Sequence, residues 1–433
     1  MLKNSPAIQS HSSNNTRIGI IGGGPAGLSI ARLLKEKGIT ETVIFEALPQ
    51  VGGKSYSVQQ GSTIVEMGTC YATFSHKVTN RWMRDYKMEM SGLGDQRFDG
   101  ADFMDYIKAG SGPILPVQVL KYRNAKAKLE KAMRVASPPE WALEQAAMPI
   151  RDWLRERKLG KIEHFFHRST TNIAYGFVDE VPTIQALCWN DMELIWSGLL
   201  KRLHMPVEGW AEFWNKVASD LDVRLNTPVT GIERTGTHSI VTTESGETHT
   251  FDQIICAIPV DDFSALTTPT ENEAIVNDSI VWNGYTTTLF AAENWFKDVH
   301  VEAYKNAVIP GAKLGQLLSA RNDGHEPDFG GDLYLSGQLS GDYTSDELKE
   351  LLREDVARKG GHVTNIILQK MWKYHARYKL EAVKQGLIKR LEQMQGERGT
   401  WYTGATFSYE AVSHITSFNV KLAQKMQSKI LAS

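Results

Sequence analysis

The sequence predicts an α/β protein built on a Rossmann-like dinucleotide-binding unit, with long insertions forming a second lobe. Three observations carry this. A short apolar strand runs straight into a glycine-rich turn and an amphipathic helix near the N-terminus. Strand patterns return near residues 222–260 after a long helical stretch. The chain has 433 residues, more than one hydrophobic core holds, since single cores stop growing near roughly 250–300 residues.

Arg17–Ile21 is the opening strand. Gly22-Gly23-Gly24-Pro25-Ala26-Gly27 follows, and Leu28, Ile30, Leu33 and Leu34 then recur at helical spacing until Gly38. Val43–Phe45 is a second strand ending at Glu46, which completes a βαβ unit and implies a parallel sheet. Helical patterns dominate from about Ser75 to Leu221, including Val117–Val135, Ile150–Leu159 and Val181–Leu200. Strands are expected at Val223–Leu225, Gly231–Arg234, Ser239–Thr243 and Phe251–Ile258, and in another sheet at Thr286–Phe290 and Leu333–Leu339. Amphipathic segments at Ser345–Lys359 and Leu380–Gln395 precede a strand, Thr400–Thr403, and a helix from about Tyr409 to Leu431. Residues 17–70, 221–262 and 396–433 would form the nucleotide domain, 71–220 a helical cap, and 263–395 a mixed-sheet substrate domain. Residues 1–16 are polar and read as a disordered tail.

Composition is ordinary, with 42% apolar and 23% charged residues and a formal net charge of −2. No basic surplus marks a nucleic-acid binder. No run of 18 apolar residues offers a transmembrane span. Cys70, Cys188 and Cys256 are too few and too dispersed for a disulfide framework or a metal site, which points to a reducing compartment, most simply the cytoplasm. The basic run Lys121, Arg123, Lys126, Lys128, Lys131 and Arg134 on a predicted helix is either a solvated face or an attractor of anionic lipid or acidic substrate. Oligomeric state leaves no mark in the sequence.

Gly22, Gly24 and Gly27 stand where G-x-G-x-x-G needs them. The first permits the tight turn, the second lets main chain approach a diphosphate, and the third allows close helix–sheet packing. Pro25 suits the first helical turn, where its missing N–H would be unpaired anyway. Glu46, 19 residues after Gly27, can accept hydrogen bonds from ribose hydroxyls. Gly110-Ser111-Gly112 lacks both strand and acid, so no second nucleotide site is expected.

The combination of this unit with Val51-Gly52-Gly53-Lys54 resembles the flavin amine oxidase / phytoene desaturase superfamily. Lys54 stands where that family usually has Arg. The resemblance implies non-covalent FAD, with Gly22, Gly24, Pro25, Ala26, Gly27, Glu46, Ala47, Gly53, Lys54, Met67, Gly68, Val229, Gly404, Ala405, Ala411 and Val412 as its binding set. Ala405 replaces an acid common there. No cysteine follows Cys256, which excludes a C-terminal thioether.

Within the superfamily, Asn172–Phe177 with Val181-Pro182, Glu66-Met67-Gly68, Met394-Gln395-Gly396 and Val412-Ser413-His414 resemble the polyenoic fatty acid isomerase group. That implies redox-neutral double-bond isomerisation, a hydride leaving an allylic carbon for the flavin and returning at another. Oxygen-using relatives carry a lysine in the stretch matching Tyr285–Phe290, and none occurs here. The expected partner is a small apolar substrate, with Arg97 as the cation for a carboxylate if it bears one. Trp401, with Tyr374 or Tyr378, would form an aromatic wall; Tyr175 and Trp196 are further pocket candidates, while Trp189, Trp210 and Trp214 read as core. His204 and His414 read as structural. An FAD-dependent amine oxidase or C–C desaturase, and a non-catalytic flavoprotein, are the alternatives.

Overall fold

In the computed structural model, which describes residues 16–432, the apolar run Ile18–Ile21 is fully buried in the middle of a five-stranded parallel sheet. The predicted tail lies outside the described residues except for Thr16. Sheet order is Thr400–Tyr402, Gln253–Cys256, Ile18–Ile21, Thr42–Phe45 and Asp222–Arg224. Three segments distant in sequence therefore share one sheet. Strands buried on both faces read as continuous apolar runs, as IGII and QIIC do here. Helix Pro25–Lys35 packs on this sheet with Pro25 in its first turn. The C-terminal helix Val412–Ala432 lies against it, where the Asn419 amide donates to the Ala26 carbonyl (2.9 Å) and to Ser29 Oγ (2.7 Å).

A second, seven-stranded sheet is mixed. Its order is His362–Trp372, Tyr285–Glu293, Gly331–Leu339, Leu317–Glu326, Val301–Ala303, Gln96–Phe98 and Ala101–Asp102. Only the pairing of Val301–Ala303 with Gln96–Phe98 is parallel within it. Tyr106, Ile107, Ala174 and Phe177, from the mostly helical segment between Lys77 and Ala218, share a core cluster with sheet residues Phe290, Leu317, Ala320 and Tyr334. No helix among the described residues is long and apolar enough to cross a membrane.

Several predicted elements divide. Phe251–Ile258 is two strands in different sheets: Thr248–Phe251 joins an antiparallel three-stranded sheet, and Gln253–Cys256 enters the parallel one. The switch falls at Asp252, whose carboxylate accepts the Arg17 N–H (2.8 Å). Val181–Leu200 breaks at Asn190-Asp191 into helices Thr183–Trp189 and Met192–Leu199, because Asp191 caps the second through the Leu194 N–H. Gly386, at φ +91°, divides Leu380–Gln395. Tyr409, at φ +101°, separates the turn Ala405–Ser408 from the long C-terminal helix. Leu317–Glu326 and His362–Trp372 had no strand signal because half their residues are polar.

Arg234 and Glu273 form an ion pair at 2.9 Å with side chains 2% and 0% exposed, and the Tyr402 hydroxyl donates to the same carboxylate. It ties the three-stranded sheet to helix Glu271–Asp278 and to the edge of the parallel sheet. Removing one partner of a buried pair strands the other charge, at about 3–5 kcal/mol. Glu273→Ala is therefore expected to lower the thermal unfolding midpoint sharply; a midpoint within a degree or so of the unmodified chain, roughly the effect of a neutral surface change, would refute this.

Candidate functional site

The glycine turn between Ile18–Ile21 and the Pro25–Lys35 helix is walled by main chain. Gly22 takes φ +109°, and a Cβ on Gly27 would stand 1.9 Å from the Gly22 carbonyl oxygen. A Cβ on Gly53, itself at φ +51°, would meet the Gly24 Cα at 3.2 Å. The two glycine turns thus face each other beside the helix N-terminus, whose first N–H groups have no intrahelical acceptor and favour an anion. Buried Glu46 ends the second strand and accepts the N–H of Gly23 (2.7 Å) and of Leu48 (2.9 Å), with Ala47 exposed beside it. The Thr227 N–H donates to the Glu46 carbonyl (2.9 Å), which brings the chain leading into Val229 to this end of the site. On the other side, a Cβ on Gly404 (φ +93°) would lie 3.6 Å from Ala26 Cβ, and Ala405 follows it in the short turn.

From this cradle a chamber opens. It is lined by six of the predicted residues: Lys54, Gly68, Tyr175, Tyr374, Ala411 and Val412. Gly68 must be glycine, since a Cβ there would sit 1.8 Å from the Lys54 carbonyl. Met67, fully buried, accepts the Thr287 hydroxyl at its carbonyl (2.9 Å) and fastens the chamber floor to the large sheet. Tyr175 and Tyr374 stack in parallel, 5.8 Å apart with 6° between ring planes. Burial pushes both hydroxyls well above the usual phenol range, so they stay neutral. Trp189 is buried in a core cluster, as its helical spacing suggests, and also lines the chamber; its Nε1 has no hydrogen-bond partner among the described residues. Lys54 pairs with Glu410 at 2.7 Å, and Glu410 also accepts the His375 N–H (3.0 Å). No motif or periodicity marked Glu410. Burial lowers His375 to about 3, leaving it neutral.

The chamber continues. Cys70, Tyr71, Ile173 and Tyr285 also line a second cavity that contains Arg168 and Arg321. Tyr71, Leu93 and Arg168 are shared with a third cavity. Phe103, Met104, Phe165 and Gly198 join that to an innermost chamber walled almost wholly by apolar side chains. Arg321 is neutralised by Asp323 at 2.6 Å. Arg168 is different: it is 9% exposed, sits in a π-helical turn, His167–Thr171, and donates to the neutral Gln96 amide at 2.6 Å. With its amide turned, Asn172 accepts from the same guanidinium at 3.0 Å. Among the described residues no carboxylate lies within ion-pair distance of it. Sequence reasoning missed Arg168, although π-turns inside helices recur at functional sites.

Three substrate candidates fall elsewhere. Trp401 is 1% exposed on the parallel sheet, packed in the core with Ile18 and Leu422 and donating to Gln253 (2.8 Å), because its strand position points it at the helix layer rather than the chamber. Trp196 is 49% exposed on the outer side of its helix. Arg97 is committed to Glu302 (2.9 Å) and Asp298 (2.7 Å) and lines none of these cavities. Tyr378 is buried and donates to the Thr406 carbonyl. His414 Nε2 donates to the Cys188 carbonyl (2.8 Å), and although burial opposes charge, its neighbours Cys188 and Asp191 raise it to about 9.

A dinucleotide cradle opening on an aromatic chamber at the N-terminus of a second helix defines a flavoenzyme. The chain belongs to the flavin-containing amine oxidoreductase family, whose sequence profile matches residues 25–372. It is 22% identical to the polyenoic fatty acid isomerase of Ptilota filicina over 432 aligned positions, covering 89% of this chain and 81% of that one. It is 25% identical to polyamine oxidase 2 of Arabidopsis thaliana over 272 positions, covering 56% of this chain and half of that one (50%). Among solved structures, a CLA-producing fatty acid isomerase from P. acnes superposes with TM-score 0.81 at 21% identity, covering 96% and 99% of the two chains. Putrescine oxidase superposes with TM-score 0.71 at 14% identity, also over 96% and 99%. The chain is therefore an FAD enzyme of the oxidoreductase superfamily, with the cofactor bound non-covalently.

The residues present fit FAD: glycines where a side chain would fill the cradle, a helix N-terminus beside them with no side-chain cap, and the unpartnered Trp189 indole in the chamber. Gly27→Ala is expected to yield protein depleted of flavin and less stable to heat. The ratio of visible flavin absorbance to protein absorbance reads this directly, and full occupancy in the variant would contradict it.

Proposed function

We propose that this enzyme isomerises double bonds in an unsaturated, carboxylate-bearing lipid or a similar apolar substrate, without net oxidation. The observation that carries the reading is Arg168. Among the described residues lining the channel, Lys54 pairs with Glu410, Arg321 with Asp323 and Lys201 with Asp95. Arg168 is buried and, among the described residues, its hydrogen-bond partners are the neutral amides of Gln96 and Asn172. A buried charge is costly unless paired, and a guanidinium facing an apolar passage suits a carboxylate in charge-assisted contact. The same charge repels an ammonium.

When bound, the flavin supplies hydride-accepting and hydride-returning chemistry. The protein's part is positioning and exclusion of water. Arg168 holds the carboxylate while the chain threads past Tyr71 and Tyr285 toward the chamber. Tyr175, Tyr374 and Trp189 wall the reacting carbons there, and their neutral rings shelter a delocalised cation from water and nucleophiles. Strand Tyr285–Glu293 carries no lysine beside the chamber, which agrees with a reaction that does not pass electrons to oxygen.

Amine oxidation is the second reading, favoured by the parallel Tyr175–Tyr374 pair, which could hold a cation by its π faces. Glu410, the acid such a cation would want, is already paired with Lys54.

Anaerobic incubation with unsaturated fatty acids and with amines separates the two. Isomerisation yields a product of unchanged mass while the flavin stays oxidised at steady state. Bleached flavin with a product two hydrogens lighter would overturn it in favour of oxidation. Arg168→Met is expected to raise KM for a carboxylate substrate about tenfold to a hundredfold, the worth of a charged hydrogen bond at ~1.5–3 kcal/mol. KM for the methyl ester should hardly move; equal effects on acid and ester would remove Arg168 from carboxylate recognition.

A further inference from the structure

The basic helix Leu115–Met133 has two faces. Leu115, Val119 and Tyr122 wall the innermost apolar chamber. At 3.6 residues per turn, Val117, Leu120, Lys121, Asn124, Lys128 and Lys131 fall on the opposite side, and all six are exposed. That outer face begins apolar, with Ile114 just ahead of the helix and Val117 (52% exposed) and Leu120 (49%) on it, and turns cationic toward its C-terminal end. Glu130 is the helix's single acid, and Lys126 holds it.

The other helical wall of the same chamber, Met192–Leu199, contributes Ile195, Gly198 and Leu199 to the lining and turns Trp196 outward. Leu200, 56% exposed, and the exposed Lys201 and Arg202 follow it. Asp95 pairs with Lys201, and Asp99, Asp102 and Asp105 are the other exposed acids on the segment leading to this side. Single exposed apolar side chains are ordinary. Here five large ones stand on, or within a residue of, the two helices that enclose one apolar chamber, beside lysines that have no ion-pair partner among the described residues (Lys128 lies over the Trp141 ring), which is the composition of an interfacial surface.

We propose that this face of the helical cap docks on an anionic lipid bilayer, so that an apolar substrate passes from membrane to chamber without crossing water. The large apolar side chains would enter the headgroup–acyl boundary, and Lys121, Lys128 and Lys131 would meet lipid phosphates. An acidic protein partner would use the lysines but leave Val117, Leu120 and Trp196 exposed to water. The inference does not rest on the isomerase reading: an amine oxidase with this face would bind the same vesicles, so its failure leaves the reaction untouched.

The test uses the full FAD-bearing chain in cosedimentation with phosphatidylcholine vesicles and with vesicles containing phosphatidylglycerol. Binding to the anionic vesicles, weakened by salt, is expected. Lys121→Glu, Lys128→Glu and Lys131→Glu together should lower partitioning by about fivefold per lysine removed. Val117→Glu with Leu120→Glu should abolish it, with flavin absorbance and unfolding temperature unchanged as the control for folding. Equal binding to both vesicle types, or a double variant that binds like the unmodified chain, overturns the proposal. So does a dimer in solution that the same double variant dissociates, which would assign the face to a second copy.

Discussion

Main chain lies directly on main chain around the nucleotide cradle, and the remainder of the molecule is arranged to hold that contact. Gly27 abuts the Gly22 carbonyl and Gly68 the Lys54 carbonyl at distances that no side chain would permit, and Gly53, at φ +51°, lies close against Gly24. Such approaches leave backbone N–H groups facing outward, the requirement for receiving a diphosphate. They tolerate little displacement. The parallel sheet fixes one turn, the Gly52 N–H bonded to the Gly23 carbonyl (2.9 Å) fixes the second against it, and Asn419 locks the C-terminal helix to Ala26. A sheet whose strands come from the start, middle and end of the chain keeps these pieces in register.

The charge pattern of the channel follows from the same construction. Lys54 belongs to the second glycine turn and Glu410 to the approach to the C-terminal helix, so closing the cradle brings the pair together. Arg321 lies on the large sheet and is matched two residues away by Asp323. Arg168 has no such neighbour, and its cost in an apolar passage is met in part by two amides. An uncompensated cation at that point, between an aromatic chamber and an apolar one, links the architecture to the kind of molecule the channel accepts.

Local pattern was a good guide wherever one residue's role depends on its immediate neighbours. Gly22, Gly24, Gly27 and Glu46 could be placed because turn, helix start and strand end follow one another within a single βαβ unit. Tyr175 and Tyr374 came together, but the wall they form did not include Trp401. Alternation along Thr400–Tyr402 does not say which side of a sheet faces the helices. Arg97 was misplaced for a related reason: its partners, Asp298 and Glu302, are some two hundred residues distant. Glu410, Trp189 and Arg168 carried no signal because an acid, an indole and an arginine in helical surroundings look the same whether they face core, solvent or cavity.

The sequence by itself determined the α/β class, the nucleotide-binding turn and the resemblance that implied a flavin, since these rest on contacts within a few residues. Tertiary structure decided the rest. It alone shows that Phe251–Ile258 divides between two sheets, that four cavities follow one another through shared lining residues, and that, among the described residues, Arg168 rather than Arg97 is a buried cation with no carboxylate partner. Burial, pairing and the direction a side chain points arise from packing between segments hundreds of residues apart, and no local pattern encodes them.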